Sequence, residues 1–363
     1  MDSTKRTYFR SGTTRKPIGL ALQGGGSWGS YTWGVLHALL ASRSLAIAQL
    51  SGTSAGAINA AIVAGALAKG SPALARKTLR SFWLSIADPV ASFWGPLERQ
   101  WRNSMSDWLV TSGLTSLYSP AALGIHPLRD AIAAHVDIDA IHSPLAPALF
   151  ITVTNVRTGL PRVISNHEMS LEALLASTAL PDLFPAMELD GEYYWDGGYS
   201  GNPTLWPMVR SRLADDLIIV QLAPDRIEQV PTDPPSIRRR VGEIVFHSSL
   251  VAEMQSIHAM RVIAEPRKSA GLAELRFHRI GPPRPELFDK GNGVERARPW
   301  LRLLHAEGLA AGRQFIGRHG ADIGVHETLD VAGGFIDAHK PEIRIPANES
   351  FHDSDATAMS EAA

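Results

Sequence analysis

Short apolar runs alternate with segments of helical periodicity along the first 225 residues. Four runs have the length and apolar character of buried strands: 18–22, 47–50, 149–156 and 216–222. Helical spacing of apolar residues marks five segments between them: 30–40, 55–68, 72–86, 128–135 and 171–176. Residues 162–165 could form a hairpin with the third strand. This alternation predicts an α/β fold, a three-layer α/β/α arrangement with a mostly parallel central sheet.

The pattern changes after residue 225, where a linker precedes two long helical segments. The linker contains three prolines: Pro231, Pro234 and Pro235. Helices are predicted over about 236–264 and 294–316. A polar end low in aromatic residues predicts a disordered tail, and basic residues near the start predict a flexible arm. The chain therefore divides into four parts: a basic arm (1–16), an α/β domain (17–225), a mainly helical C-terminal region (226–341) and a tail (342–363).

Bulk composition narrows the function classes. The 363 residues are 45% apolar and 20% charged, as in ordinary globular enzymes, and the net charge of −1 gives no global attraction to nucleic acid or an anionic membrane. The absence of cysteine from the sequence excludes disulfides, thiolate metal sites and a cysteine nucleophile. No H-x-x-x-H or H-E-x-x-H spacing indicates a metal, and no cofactor is expected. Without an apolar h-region or membrane-spanning run, we expect a cytoplasmic protein that could contact membranes peripherally.

A glycine-rich motif follows the first predicted strand. Gly24-Gly25-Gly26-Ser27-Trp28-Gly29 fits G-x-G-x-x-G between a strand and a helix, which suggests a dinucleotide fingerprint. That fingerprint needs a carboxylate about 20 residues further on to bind the ribose. The corresponding segment, 49–52, has no carboxylate. The glycines could also serve close packing alone. We favour a third interpretation, in which backbone N–H groups at a helix N-terminus stabilise a phosphate or a developing oxyanion.

A second motif, Gly52-Thr53-Ser54-Ala55-Gly56, fits G-x-S-x-G after the second strand. A serine on a sharp strand-to-helix turn exposes its Oγ, and the crowded turn requires glycine on both sides. Ser54 would also lie at the N-terminus of the next helix, whose dipole favours developing negative charge. The alternative is a serine that only caps this helix. The strand before the motif and the helix after it favour a nucleophile.

A third motif, Asp196-Gly197-Gly198, follows the aromatic run at 193–195. A carboxylate between apolar rings and two glycines is partly desolvated. Desolvation raises the pKa of a carboxylate and makes it a better base. Taken alone, however, the motif is more typical of a turn aspartate followed by glycines.

The order of the three motifs resembles the patatin-like phospholipase family. Ser54 lies 30 positions after Gly24, and the Asp-Gly-Gly motif follows more than a hundred positions later. The resemblance covers roughly residues 17–225. It implies that Ser54 is the nucleophile, that Asp196 takes its proton without a histidine, and that the substrates are carboxylic esters of lipids or phospholipids. It also implies the oxyanion-hole donors: the N–H groups of Gly25, Gly26 and Ala55.

Other functions could use the same motifs. The nucleophile and oxyanion hole would equally serve an acyltransferase, which passes the acyl group to an acceptor other than water. A lipid-binding protein that has lost catalysis would keep the fold. A Ser–Asp–His triad could use His247 or His258, although both fall on the predicted long helix and are more typical of surface or packing residues.

Trp28 departs from the family pattern, in which members with strong phospholipase activity usually have Arg or Lys at that position. Because Trp28 cannot anchor a phosphate by charge, ester hydrolysis is better supported than activity on anionic phospholipids. Two further features could meet lipid, although a core stripe and a solvated helix start are the more ordinary interpretations. They are the tryptophans that recur every seven residues (Trp94, Trp101 and Trp108) and the run Arg238-Arg239-Arg240.

Overall fold

A computed structural model describes the strands and helices of this protein. The described residues are 15–87, 128–181, 184–263, 274–288, 293 and 295–336. The strands are β1 (Lys16–Leu22), β2 (Leu45–Gly52), β3 (Ala148–Asn155), β4 (Pro161–Ser165), β5 (Met187–Leu189), β6 (Glu192–Asp196), β7 (Asp216–Val220) and β8 (Arg276–Ile280). The helices are α1 (Gly29–Ala41), α2 (Ala55–Ala68), α3 (Pro72–Ser85), α4 (Arg129–His135), α5 (Ile138–His142), α6 (Leu171–Ser177), α7 (Trp206–Ser211), α8 (Pro234–Ile263), α9 (Pro285–Phe288), α10 (Arg298–His319) and α11 (Val331–Phe335).

All eight strands form one sheet of order β5-β6-β3-β2-β1-β7-β8, with β4 paired to β3. The five strands from β3 to β8 in this order are parallel, whereas β4 and β6 pair antiparallel with β3 and β5 pairs antiparallel with β6. Leu22 is in register with both Gly52 and Val220, so the parallel strands end together. We call this side of the sheet the carboxyl edge. The predicted mostly parallel sheet and the predicted β3–β4 hairpin are confirmed.

Helices cover both faces of the sheet because alternate residues of a strand point to opposite sides. Ile18, Leu20 and Leu22 of β1 pack in the larger core, with α1, α2, α3 and α10. Ala21 and Leu217 pack in a smaller core, with α7, α8 and α11. The predicted three-layer α/β/α arrangement is therefore confirmed.

The C-terminal region completes the sheet as well as adding helices. The strand β8 pairs in parallel with β7, although its sequence did not predict a strand. Helix α10 crosses α1 at very close range, because a Cβ on Gly34 would collide with the carbonyl of His305 and a Cβ on Gly308 with the carbonyl of Tyr31. Glycine at both positions lets the two backbones touch.

Two local features differ from the sequence prediction or extend it. Helix α8 begins at Pro234, so Pro234 and Pro235 belong to its first turn and not to the linker. Proline suits that turn because it has no N–H, and an N–H in the first turn would have no partner within the helix. The strand β1 already includes Lys16, whose Nζ donates hydrogen bonds to the carbonyls of Gly320 and Ala321 at 3.3 and 3.1 Å.

Some predicted features lie outside the described residues: the greater part of the basic arm, the tail, and the tryptophan repeat of Trp94, Trp101 and Trp108. Within the described ranges, no helix is both long enough and apolar enough to cross a membrane.

Candidate active site

Ser54 occupies a strained turn between β2 and α2. Its φ of 55° and ψ of −126° lie in a region that residues other than glycine rarely adopt, and its side chain is buried. The glycines on both sides are required by close contacts. A Cβ on Gly52 would collide with the carbonyl of Gly56, and a Cβ on Gly56 would collide with the carbonyl of Leu22. The turn therefore has the crowded geometry that the G-x-S-x-G pattern predicts.

Hydrogen bonds hold the backbone of this turn. The N–H of Ser54 donates to Oγ of Ser177 at 3.0 Å, and the Ser177 hydroxyl donates to the carbonyl of Thr152 at 2.8 Å. Thr53 Oγ1 donates to the carbonyl of Gly201 at 2.7 Å. Ser177 was not predicted from the sequence, where its one signal is its place at the end of a mostly apolar helical segment.

The glycine loop lies directly against the Ser54 turn. A Cβ on Gly24 would come within 2.7 Å of the Cβ of Ser54. The N–H of Gly24 is already used, because it donates to Oδ1 of Asn202 at 2.6 Å. Asn202 was also missed, although a polar residue just after the Asp-Gly-Gly motif was a usable signal. Gly24 is thus a contact residue of the loop and not a free donor.

The other backbone N–H groups near Ser54 differ in whether they already donate a hydrogen bond. The N–H of Ser27 donates to the carbonyl of Gly293 at 2.7 Å. Among the residues that the structure describes, no acceptor is found for the N–H groups of Gly25, Gly26 and Ala55. Gly26 has a φ of 60°, and a Cβ there would collide with the Gly293 carbonyl. Two N–H groups of the loop, with that of Ala55 at the start of α2, are therefore free of the acceptors that the structure describes.

Gly29, the last glycine of the loop, serves helix packing. A Cβ on Gly29 would come within 2.6 Å of the Cβ of Ala55 and would also crowd the Trp83 ring. Asn59 Nδ2 donates to the Gly29 carbonyl at 2.9 Å, and Trp83 Nε1 donates to Asn59 Oδ1 at 2.9 Å. These contacts fix the start of α1 against α2, and with it the distance between glycine loop and elbow.

Asp196 ends β6 and is fully buried. Its Oδ1 accepts the N–H of Gly198 at 2.8 Å, whereas its Oδ2 has no partner among the described residues. Burial raises the pKa of Asp196 to about 7, although the N–H of Gly198 and the nearby Ser54 hydroxyl both lower it. A Cβ on Gly197 would collide with the Thr152 carbonyl. The three sequence motifs therefore meet at the carboxyl edge, and the carboxylate there has a pKa near neutrality.

The two histidines proposed for a triad lie elsewhere. His247 Nδ1 is 3.2 Å from Nε2 of Gln23, and its Nε2 is 3.9 Å from Oδ1 of Asp225. Neither His247 nor His258 hydrogen-bonds Ser54 or Asp196 within the described ranges. Gln23 in turn accepts the N–H groups of Leu222 and Ala223 through Oε1 at 2.7 and 2.8 Å. His247 therefore supports the end of the sheet, and the geometry does not favour a Ser–Asp–His triad.

Trp28, in the position where the family often has a cation, is a buried packing residue. Its ring stacks on Phe288 with centroids 4.5 Å apart and meets Trp300 edge-on at 5.3 Å. This aromatic cluster joins the glycine loop to the C-terminal region. It gives Trp28 a structural role that a charged side chain could not fill.

Comparison with known proteins agrees with the motifs. A family model described as patatin-like phospholipase matches residues 20–209, a range that contains all three motifs. Among solved structures, the crystal structure of VipD from Legionella pneumophila is 15% identical, with 81% of this chain and 67% of that chain covered and a TM-score of 0.33. A search of the curated proteins found no match.

Proposed function

This chain belongs to the patatin-like phospholipase family, whose general activity is lipid acyl hydrolysis, and from that premise we propose that it is a serine hydrolase cleaving carboxylic esters of lipids with a Ser54–Asp196 dyad. One observation carries the proposal. A strained, buried serine lies beside a buried carboxylate whose pKa is raised to about 7. Such a carboxylate is half ionised at neutral pH and can both take up and return a proton.

In the proposed acylation step, ionised Asp196 accepts the proton of the Ser54 hydroxyl while Oγ attacks the carbonyl carbon of the ester. The N–H groups of Gly25, Gly26 and Ala55 donate to the oxyanion that forms, and the N-terminus of α2 favours the same negative charge. The ester C–O bond then breaks. The leaving alcohol takes the proton from Asp196, and the acyl group remains on Ser54.

In the proposed deacylation step, Asp196 accepts a proton from water, whose oxygen attacks the acyl carbonyl carbon. The same backbone donors hold the second oxyanion. The bond to Ser54 Oγ breaks, Oγ recovers its proton from Asp196, and a free carboxylic acid leaves. One carboxylate thus serves both steps, which requires a pKa close to the working pH.

The dyad is tested with the variants Ser54→Ala and Asp196→Asn. Each should lower hydrolysis of a p-nitrophenyl ester by about a thousand-fold or more while the protein stays folded by circular dichroism. Ser248→Ala is the matched control, because Ser248 is an exposed serine whose hydroxyl, among the described residues, bonds only within α8. Normal turnover by either dyad variant would overturn the assignment. A fluorophosphonate should label the parent protein and not Ser54→Ala, whereas a non-catalytic lipid-binding protein would stay unlabelled.

Hydrolysis is separated from acyl transfer by the products. With glycerol present as an acceptor, we expect free carboxylic acid as the only product that contains the acyl group. An acylglycerol would show that the acyl-enzyme prefers an alcohol to water, and the function would then be acyl transfer.

A further inference from the structure

Helix α8 carries an exposed apolar stripe at its N-terminal end. Ile237, Val241 and Ile244 are 43%, 54% and 52% exposed. At about 100° per residue, these three side chains fall within roughly 60° of one another around the helix axis. The buried residues Leu250 and Ile257 lie on the far side of the helix, in the smaller core. The stripe is therefore a second apolar face, separate from the face that packs on the sheet.

Arginines lie on both sides of this stripe. By the same helical geometry, Arg238 follows it on one side and Arg240 on the other, each within about 100° of Ile237. Glu243 is the one acidic residue between positions 234 and 250, and it pairs with Arg240 at 3.1 Å and Arg239 at 4.0 Å. Three arginines against two carboxylates, Glu243 and Asp233 just before the helix, leave this end of α8 with one excess positive charge. The chain as a whole, in contrast, has a net charge of −1.

The helical turn that carries the stripe also contacts the candidate active site. Phe246 fills the space that a side chain at Gly198 would need, two residues from Asp196. The Phe246 ring meets Tyr199 edge-on at 5.2 Å, and Tyr199 is 40% exposed. The next residue, His247, contacts Gln23 at the start of the glycine loop. Phe246 lies about 180° around the helix from Ile237, so α8 contacts the carboxyl edge at which Ser54 lies with the face opposite the stripe.

We propose that this stripe, with Arg238 and Arg240, docks the protein on an anionic lipid surface. An apolar helical face between basic residues is the pattern that binds at the boundary of lipid headgroups and acyl chains. Three side chains supply far less buried surface area than a stable protein–protein interface, which buries roughly 800 Å² on each partner. The inference rests on the proposed function in one respect only: the docked surface would present ester substrates to Ser54.

Binding is measured by sedimentation of the full chain with vesicles of phosphatidylglycerol and phosphatidylcholine, and with phosphatidylcholine alone. All binding variants carry Ser54→Ala, so that no lipid is cleaved. Val241→Asp should lower the partition coefficient about ten-fold or more, because an inserted apolar side chain is lost. Arg238→Gln and Arg240→Gln should each weaken binding about five-fold, on the anionic vesicles alone. The matched control is Leu145→Asp, since Leu145 is 74% exposed but precedes β3, at the opposite edge of the sheet.

A fluorescent probe shows whether the stripe itself meets the lipid. Because the sequence has no cysteine, Ser248→Cys can be labelled uniquely with an environment-sensitive dye, one helical turn from Ile244. Its emission should shift to the blue when anionic vesicles are added. Blue emission before vesicles are added would mean that another part of the chain covers the stripe, and would overturn the proposal. So would a dimer in size-exclusion chromatography that Val241→Asp abolishes, or unchanged vesicle binding by Val241→Asp.

Activity measurements with Ser54 intact separate this inference from the proposed function. Val241→Asp should hydrolyse a soluble short-chain p-nitrophenyl ester normally and should lose about ten-fold in rate on a vesicle-borne ester. If Val241→Asp matches the rate of the parent protein on the vesicle-borne ester as well as on the soluble ester, the docking role is overturned. If the parent protein cleaves neither ester, the proposed function fails, while the sedimentation result still decides whether the surface binds lipid.

Discussion

Two buried carboxylates at opposite edges of the sheet have opposite chemical properties. Asp216, at the start of β7, is 3% exposed, and Asp196, at the end of β6, is 0% exposed. Asp216 accepts hydrogen bonds from Arg276 Nε and Nη2 at 3.0 and 2.9 Å and from the N–H of Gly324 at 2.7 Å. His278 Nε2 lies 3.1 Å from its Oδ1. Asp196 accepts one N–H, and no cation contacts it within the described residues.

Because both carboxylates are buried, the difference between their pKa values comes from their hydrogen-bond partners. Burial would raise the pKa of Asp216, but the hydrogen bonds with His278 and Arg276 outweigh it and hold the pKa well below the usual range. Burial dominates at Asp196 and raises its pKa to about 7. A carboxylate with every oxygen partnered stabilises the fold. A carboxylate left partly unpartnered is available as a base and destabilises the folded protein when it ionises.

The most severe test of this contrast is Asp196→Asn. Loss of the proposed base should lower ester hydrolysis about a thousand-fold or more. The free energy of unfolding at about pH 8 should rise by about 2–4 kcal/mol, because the folded state no longer contains a buried charge. Urea unfolding and steady-state kinetics measure both quantities on the same preparation. Asp130→Asn, at an exposed position, should change neither, and a less stable Asp196→Asn protein would contradict the contrast.

The converse test is Asp216→Asn. This substitution leaves Arg276 and His278 against a neutral amide, and we expect the free energy of unfolding at neutral pH to fall by about 3 kcal/mol. Activity per folded molecule should be unchanged at low temperature, because Asp216 lies at the far edge of the sheet from Ser54. A large loss of kcat in folded protein would show that the two edges are coupled.

The sequence predicted those parts of the molecule whose signals are local. The strand-to-helix turn at Ser54 and the apolar strands follow from short patterns, because neighbouring residues dictate them. The strand β8 was missed because its sequence contains Arg276, His278 and Arg279. Two of these are satisfied by Asp216, which is 60 residues away from Arg276, so no local window could indicate a strand.

The same limit applies within the candidate site. The residue types and order of the motifs indicated Ser54 and Asp196. The partners that hold the motifs were not predicted, because Asn202 reaches Gly24 across 178 residues and Ser177 reaches Ser54 across 123 residues. The packed role of Trp28 also depends on Phe288 and Trp300, in the C-terminal region.

The stability contributions of Asp196 and Asp216 should depend on pH in opposite directions. A folded-state pKa above the unfolded one gives stability that is lost as pH rises, so ionisation of Asp196 should reduce stability between about pH 4 and pH 7. Glu253, whose pKa burial raises to about 7, acts in the same window. Asp216 has the opposite sign, and its contribution is lost as pH falls below about 4. Ionised Asp196 is the proposed base, so kcat/KM should fall about ten-fold per pH unit below about 7.

Comparison of parent and Asp196→Asn protein isolates the Asp196 contribution. Their difference in unfolding free energy should be near zero at about pH 4 and should grow until about pH 8. The variant Glu253→Gln removes the second titration and should leave the kcat/KM profile in place. A profile with its midpoint near pH 4 would show that Asp196 keeps an ordinary pKa.

The smallest expected effect concerns the hydroxyl that supports the Ser54 turn. Ser177→Ala removes the acceptor of the Ser54 N–H and should cost about 1–2 kcal/mol of stability, because a buried donor is left unpaired. The position of Ser54 should also be fixed less precisely, so kcat should fall several-fold with little change in KM. Thr178→Ala is the matched control, since within the described part of the chain this buried hydroxyl donates only to the carbonyls of Leu174 and Leu175. If both variants lose stability and only Ser177→Ala loses kcat, the carboxyl edge depends on this hydroxyl for positioning; equal kcat values would reduce Ser177 to a packing residue.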